Sequence, residues 1–148
     1  MNLFLLLVVL TAPLLANDLS IVEELKSHEG YSKYIRNDRG NPSIGYGINL
    51  TYGISKAEAE LLLIHRVEII TTKLTTYSWY NHLSPNRKEV IVNMAYNLGI
   101  NGMLEFKGMI WALTNSYWHG AANAMKDSMW YSQTGNRAKR LYMKMWDG

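Results

Sequence analysis

The period of the hydrophobic pattern changes twice along this chain, and that change restricts the fold more than any single motif. Helical spacing holds near residue 20, vanishes between Tyr31 and Leu50, and returns from Ser55 to the end. Ser20-Ile21-Val22-Glu23 is a capping-box pattern that predicts a helix start, with Ile21, Val22 and Leu25 on one face and Gly30 as the stop. Tyr31, Tyr34, Ile35, Ile44 and Tyr46 surround the turn-rich Asn37-Asp38-Arg39-Gly40-Asn41-Pro42, which predicts a hairpin or small antiparallel sheet. A second capping box, Ser55-Lys56-Ala57-Glu58, opens a long helix expected to run to Leu74. Ser84-Pro85 opens another, with Val90, Ile91, Met94, Ala95 and Leu98 facing inward and Gly99 as its stop. Three further helical segments are expected. One carries Leu104, Phe106, Met109, Ile110 and Leu113, and one spans Ala121 to Met129. The last carries Ala138, Leu141, Tyr142, Met145 and Trp146 as an amphipathic stripe.

A chain of 148 residues has the length of one domain. The expected class is therefore α+β with two lobes, a small antiparallel sheet followed by a mostly helical C-terminal lobe. All five tryptophans lie beyond residue 78, so the helical lobe should hold the larger core. Hydrophobic residues at 48% and charged residues at 18% give a globular balance rather than a disordered one. Cysteine is absent, which excludes disulfides, thiol nucleophiles and cysteine-based metal sites. The four histidines, at 28, 65, 82 and 119, form no HExxH or HxxH pair, and no metal or organic cofactor is implied. A net charge of +3 favours an anionic polymer as partner, without any motif that points to nucleic acid.

Leu3 to Leu15 read LFLLLVVLTAPLL, too short an apolar run to span a bilayer but suited to the core of a signal peptide. The expectation is an export segment over residues 1–16, with cleavage after Ala16, followed by a catalytic domain over residues 17–148. Two alternatives stay open: an uncleaved membrane anchor, and a buried first helix that Pro13 would break. Export would carry the chain across the bacterial inner membrane to the periplasm or wall, with only transient membrane contact.

Glu29 is the carboxylate that stands out. It lies four residues after Leu25, seven after Val22 and eight after Ile21, which puts it in line with the apolar face of the first helix. Burial there and the negative end of the helix dipole both favour a protonated acid. A frayed last turn that swings Glu29 into solvent is the competing reading. Asp38, nine residues on, falls in the expected turn, and Ser43 opens the next strand. A proton-bearing acid and a second carboxylate that orients water are what an inverting glycosidase needs.

His28-Glu29-Gly30, Asp38 and Ser43-Ile44-Gly45-Tyr46-Gly47 together resemble the catalytic segment of the phage-type lysozymes, the endolysins of glycoside hydrolase family 24. Trp130-Tyr131-Ser132-Gln133-Thr134-Gly135-Asn136-Arg137-Ala138-Lys139-Arg140 resembles that family's WYxQTxNRAKR segment, and Met94 to Gly99 is similar to a helix end in its second lobe. The resemblance implies a lysozyme-like fold and hydrolysis of the β-1,4 bond between N-acetylmuramic acid and N-acetylglucosamine in bacterial peptidoglycan, in the service of host cell lysis. It implies Glu29 as general acid and Asp38 as the group that positions or deprotonates water. Ser43 stands where the family has threonine, and its hydroxyl would hold that water. Gln133 and Thr134 would line the cleft, and Arg137 would approach Glu29 and tie the lobes together. The Asp38–Ser43 gap is one residue shorter than in the T-even members, and the segment Asn49 to Ser55 is also shorter, so the first lobe should be smaller.

Three classes of function remain: a monomeric muramidase, a lytic transglycosylase that leaves 1,6-anhydro ends, and a non-enzymatic peptidoglycan-binding protein. The co-occurrence of Glu29, Asp38 and the Ser43 hydroxyl favours the first, because a binder has no use for the set.

Overall fold

The structure is a computed structural model that describes residues 16–38 and 40–148. The expected export segment therefore lies, apart from Ala16, outside the described residues. The chain divides into two compact units, one ending at Lys56 and one running from Ala57 to Gly148. No helix among the described residues is long and apolar enough to cross a membrane.

The first unit is a helix followed by a three-stranded meander. Helix α1 (Ala16–Glu29) stops where expected: Gly30 turns left-handed at φ +65° and its N–H donates to the Lys26 carbonyl at 3.1 Å. Its described start falls four residues before Ser20, so the capping-box pattern sits inside the helix. Asp18 lies in the first turn, where the dipole favours a negative charge, and each further turn adds hydrogen bonds at little cost once a helix is nucleated. The expected inner face is a second correction. Ile21 is 47% exposed and Leu25 50%, because the described residues of this unit offer little apolar surface to cover the helix.

Strands β1 (Ser32–Asp38), β2 (Asn41–Gly45) and β3 (Ile48–Asn49) pair antiparallel in the order β1-β2-β3. Arg36 stands opposite Ser43 and Asp38 opposite Asn41, while Ser43 also faces Asn49. Gly40 (φ +91°) closes the first turn, with its N–H donating to Asn37 Oδ1 at 2.9 Å. The antiparallel sheet is as expected in place and size. Two positions differ: Asp38 ends a strand rather than sitting in the turn, and Ser43 lies inside β2 rather than opening it. Asn41 and Pro42 account for both, since they already pair with β1 and lengthen the hairpin by two residues.

The second unit is helical throughout: α2 (Lys56–Leu74), α3 (Ser78–Asn81), α4 (Pro85–Leu104), α5 (Lys107–Thr114), α6 (Trp118–Lys126), α7 (Met129–Thr134) and α8 (Asn136–Asp147). Ser84 caps α4 through its hydroxyl, which accepts from Arg87 N–H at 3.3 Å, and Pro85 occupies the first helical position. Gly99, expected as the stop, adopts φ +75° and ψ 158° and kinks α4, which then resumes to Leu104. The expected segment Ala121 to Met129 is divided between α6 and α7, and α3 was not foreseen.

The core is built from Leu74, Val90, Ile91, Met94, Met103, Met109, Met125 and Met145, all fully buried. Flexible thioethers suit it, because they fill irregular gaps between short helices meeting at several angles. Ala138, Leu141 and Met145 turn α8 inward, as the stripe predicts. Arg87 clasps the end of that helix: Nε donates to the Met145 carbonyl at 3.0 Å, a terminal nitrogen to Trp146 O at 3.4 Å, and the guanidinium lies 4.4 Å from the centre of the Trp118 ring. Burial in this nest lowers the arginine's pKa.

Candidate active site

In the first unit the site forms where the β2–β3 turn meets the C-terminal end of α1. Gly45 (φ +66°) and Gly47 (φ +73°) allow the turn to fold tightly around Tyr46. The Tyr46 ring lies 5.4 Å from that of Tyr31, and Lys26 Nζ stands 5.9 Å above it. Lys26 also donates to Glu23 Oε1 at 2.7 Å, and this hydrogen bond raises the lysine's pKa. The Glu29 side chain folds against Gly47. A Cβ added there would stand 2.7 Å from Glu29 Cδ and 3.1 Å from its Cγ.

Glu29 itself is exposed, which decides against the buried acid of the two readings that the sequence leaves open, although the last turn is helical rather than frayed. The helical offsets were sound, but they align Glu29 with Leu25, and Leu25 is itself half open to solvent. What lies beside the carboxylate is the β2–β3 turn rather than an apolar pocket.

Ser43 is half-buried in the central strand of the sheet. The register makes positions 38 and 43 diagonal neighbours across the β1–β2 ladder, a relation that typically separates residues by about 7–8 Å. The far side of β2 is fastened by polar residues. Thr51 N–H donates to Asn49 Oδ1 at 2.7 Å, and Leu50 N–H donates to the Pro42 carbonyl at 2.7 Å. The short third strand thus keeps β2, and with it Ser43, in register.

The second unit carries the other expected residues. Gln133 is exposed and Thr134 half-buried at the end of α7. Gly135, at φ +61° and ψ −127°, turns the chain directly into α8. Arg137 is half-buried in the first turn of α8, with Nε donating to Asn93 Oδ1 at 2.8 Å and a terminal nitrogen to the Asn93 carbonyl at 3.2 Å. Arg137 and Asn93, with Tyr96, Val92 and Val67, line an open cavity of about 570 Å³. Asn93 was not singled out from sequence, although an amide among Val90, Ile91, Met94 and Ala95 is itself a signal that something polar must be met there. Lys139 and Arg140 are exposed, whereas Lys144 pairs with Glu89.

A helix and small sheet followed by a helical unit, with Glu29 at the helix end and an Asn-Arg-Ala-Lys-Arg helix start, define a lysozyme-like protein. A family model described as phage lysozyme matches residues 26–144, and the chain belongs to that family. Its relatives include two proteins of Dictyostelium discoideum. Probable T4-type lysozyme 1 is 33% identical over 92 residues, covering 60% of this chain and 54% of that protein. Probable T4-type lysozyme 2 is 30% identical over 92 residues with the same coverage. The pre-baseplate central spike protein Gp5 of Enterobacteria phage T4 is 38% identical over 58 residues, 39% of this chain and 10% of that protein. The chain thus spans about half the length of the two lysozyme relatives.

Proposed function

We propose that this protein is a muramidase that cleaves the β-1,4 bond between N-acetylmuramic acid and N-acetylglucosamine in bacterial peptidoglycan. Glu29, held at the end of α1 by the β2–β3 turn, is the observation that carries the reading. A carboxyl at a fixed position is what protonation of a leaving glycosidic oxygen requires. Asp38 and the Ser43 hydroxyl supply the water, Asp38 as base and Ser43 as hydrogen-bond partner, so that attack occurs on the face opposite the departing sugar. Gln133, Thr134 and Arg137 contribute contacts to the glycan or its stem peptide. The protein acts as a monomer after export by its N-terminal segment, and the outcome is lysis of a bacterial host.

Purified sacculi treated with the wild type, Glu29→Gln and Asp38→Asn test this reading through the ends of the released fragments. Reducing ends from the wild type, and loss of release by about 10²–10⁴-fold in Glu29→Gln, are expected for general-acid hydrolysis. Anhydro ends, with release indifferent to Asp38→Asn, mean a transglycosylase instead. Sacculus binding without soluble fragments means a binding protein.

A further inference from the structure

We propose that Gly47 is a positioning residue for Glu29: the space left by its missing side chain is the seat that fixes the catalytic carboxyl. This deepens the muramidase reading and rests on it.

Gly47 combines two properties that Gly53 separates. Both glycines have positive φ, Gly47 at +73° and Gly53 at +76°, so a side chain at either position is strained. A Cβ at Gly53 would meet nothing within 4 Å. A Cβ at Gly47 would run into the Glu29 carboxylate. The turn is also anchored on the side from which it holds the acid, because Tyr46 lies against Tyr31 and beneath Lys26, both within a turn of Glu29 along the chain. Glu29 stands at an exposed helix end and lacks the crowding that would select one rotamer in a core. Contact with the Gly47 backbone removes part of that freedom. Proton transfer in the transition state needs the acid within hydrogen-bond reach of the leaving oxygen, and a displacement of about 1 Å costs on the order of 10²-fold in rate.

The experiment compares Gly47→Ala with Gly53→Ala, measuring kcat and KM on peptidoglycan fragments alongside thermal melts. Both variants are expected to lose similar melting temperature. Gly47→Ala alone should lose about 10²-fold in kcat with KM within about twofold, since the glycan contacts stay while the acid is displaced. Glu29→Asp supplies the coupling test: its carboxyl carbon takes the Cγ position, 3.1 Å from the added Cβ, where glutamate places its own at 2.7 Å, so the shorter acid meets the new methyl less closely. The double variant Glu29→Asp/Gly47→Ala should lose less, relative to Glu29→Asp, than Gly47→Ala loses relative to the wild type. If Gly47→Ala does not fold, Glu29→Ala in the same chain removes the group it strikes and should restore the melting temperature of Gly53→Ala; no recovery overturns the proposal. Equal kcat in Gly47→Ala and Gly53→Ala, or additive losses in the double variant, also overturns it. An active Glu29→Gln variant would instead remove the muramidase reading, so the two failures are told apart.

Discussion

The two units of the chain differ in where their apolar side chains go. In the second, five methionines and the aliphatic residues of α4 are fully enclosed. In the first, the apolar residues of α1 remain about half open, and order comes from glycine turns, ladder pairing and a few polar ties. Enclosing one such side chain contributes about 1.5–3 kcal/mol, so the helical unit holds most of the stability. The three residues proposed for chemistry all lie in the lightly built unit. Stability and reactivity are thus drawn from separate stretches of one chain, which lets a substitution affect one with little effect on the other.

The largest expected effect tests that separation directly. Glu29→Gln should abolish sacculus digestion while the thermal melt stays within about 0.5 kcal/mol of the wild type, as exposed substitutions do. A melt displaced well beyond that margin would show that the acid also holds the fold. Next comes a matched pair of truncations followed by urea denaturation. Met94→Ala, at a fully enclosed site, should cost about 2–5 kcal/mol, and Leu25→Ala, at a half-open one, less than about 1 kcal/mol. Equal losses would break the comparison.

A smaller effect concerns pH. Burial raises the pKa of Tyr80 above its ordinary value of 10.0, so the folded state holds the phenol proton more tightly than the unfolded chain. Its contribution is complete below pH 10 and declines as pH rises through the higher folded value. Melts recorded from pH 8 upward should fall on the alkaline side, and less steeply in Tyr80→Phe. The smallest change is expected from Lys139→Gln with Arg140→Gln, two exposed cations outside the core. Melting should not move, while sacculus binding weakens a few-fold at low salt and becomes less salt-dependent.

Where structure follows from local chemistry, the sequence was readable. Gly30 ends α1, Ser84-Pro85 opens α4, and α8 buries Ala138, Leu141 and Met145 as their spacing demands. Periodicity reveals which residues share a face but not whether anything covers that face, and for this reason it leaves Glu29 open between a buried acid and a solvent-facing one; the structure exposes it. Gly99 shows a similar limit: a glycine signals a break in a helix, while resumption of the helix depends on the packing of Met103 beyond it. The contact between Glu29 and Gly47 joins residues eighteen apart through a turn whose shape no spacing rule encodes. The family resemblance located both segments, but their contact is a property of the folded turn.

The methionine-rich interior carries a chemical consequence. Of the eight methionines, Met129 is 76% and Met143 52% open, whereas Met94, Met103, Met109, Met125 and Met145 are sealed. Peroxide will convert the outer pair to sulfoxides first, with little harm to the fold. The inner five react when the helical unit opens, and a polar sulfoxide has no place in the vacated site. Under oxidant, a transient opening would thus become a one-way loss, and the lifetime of the protein would be set by how rarely its interior breathes.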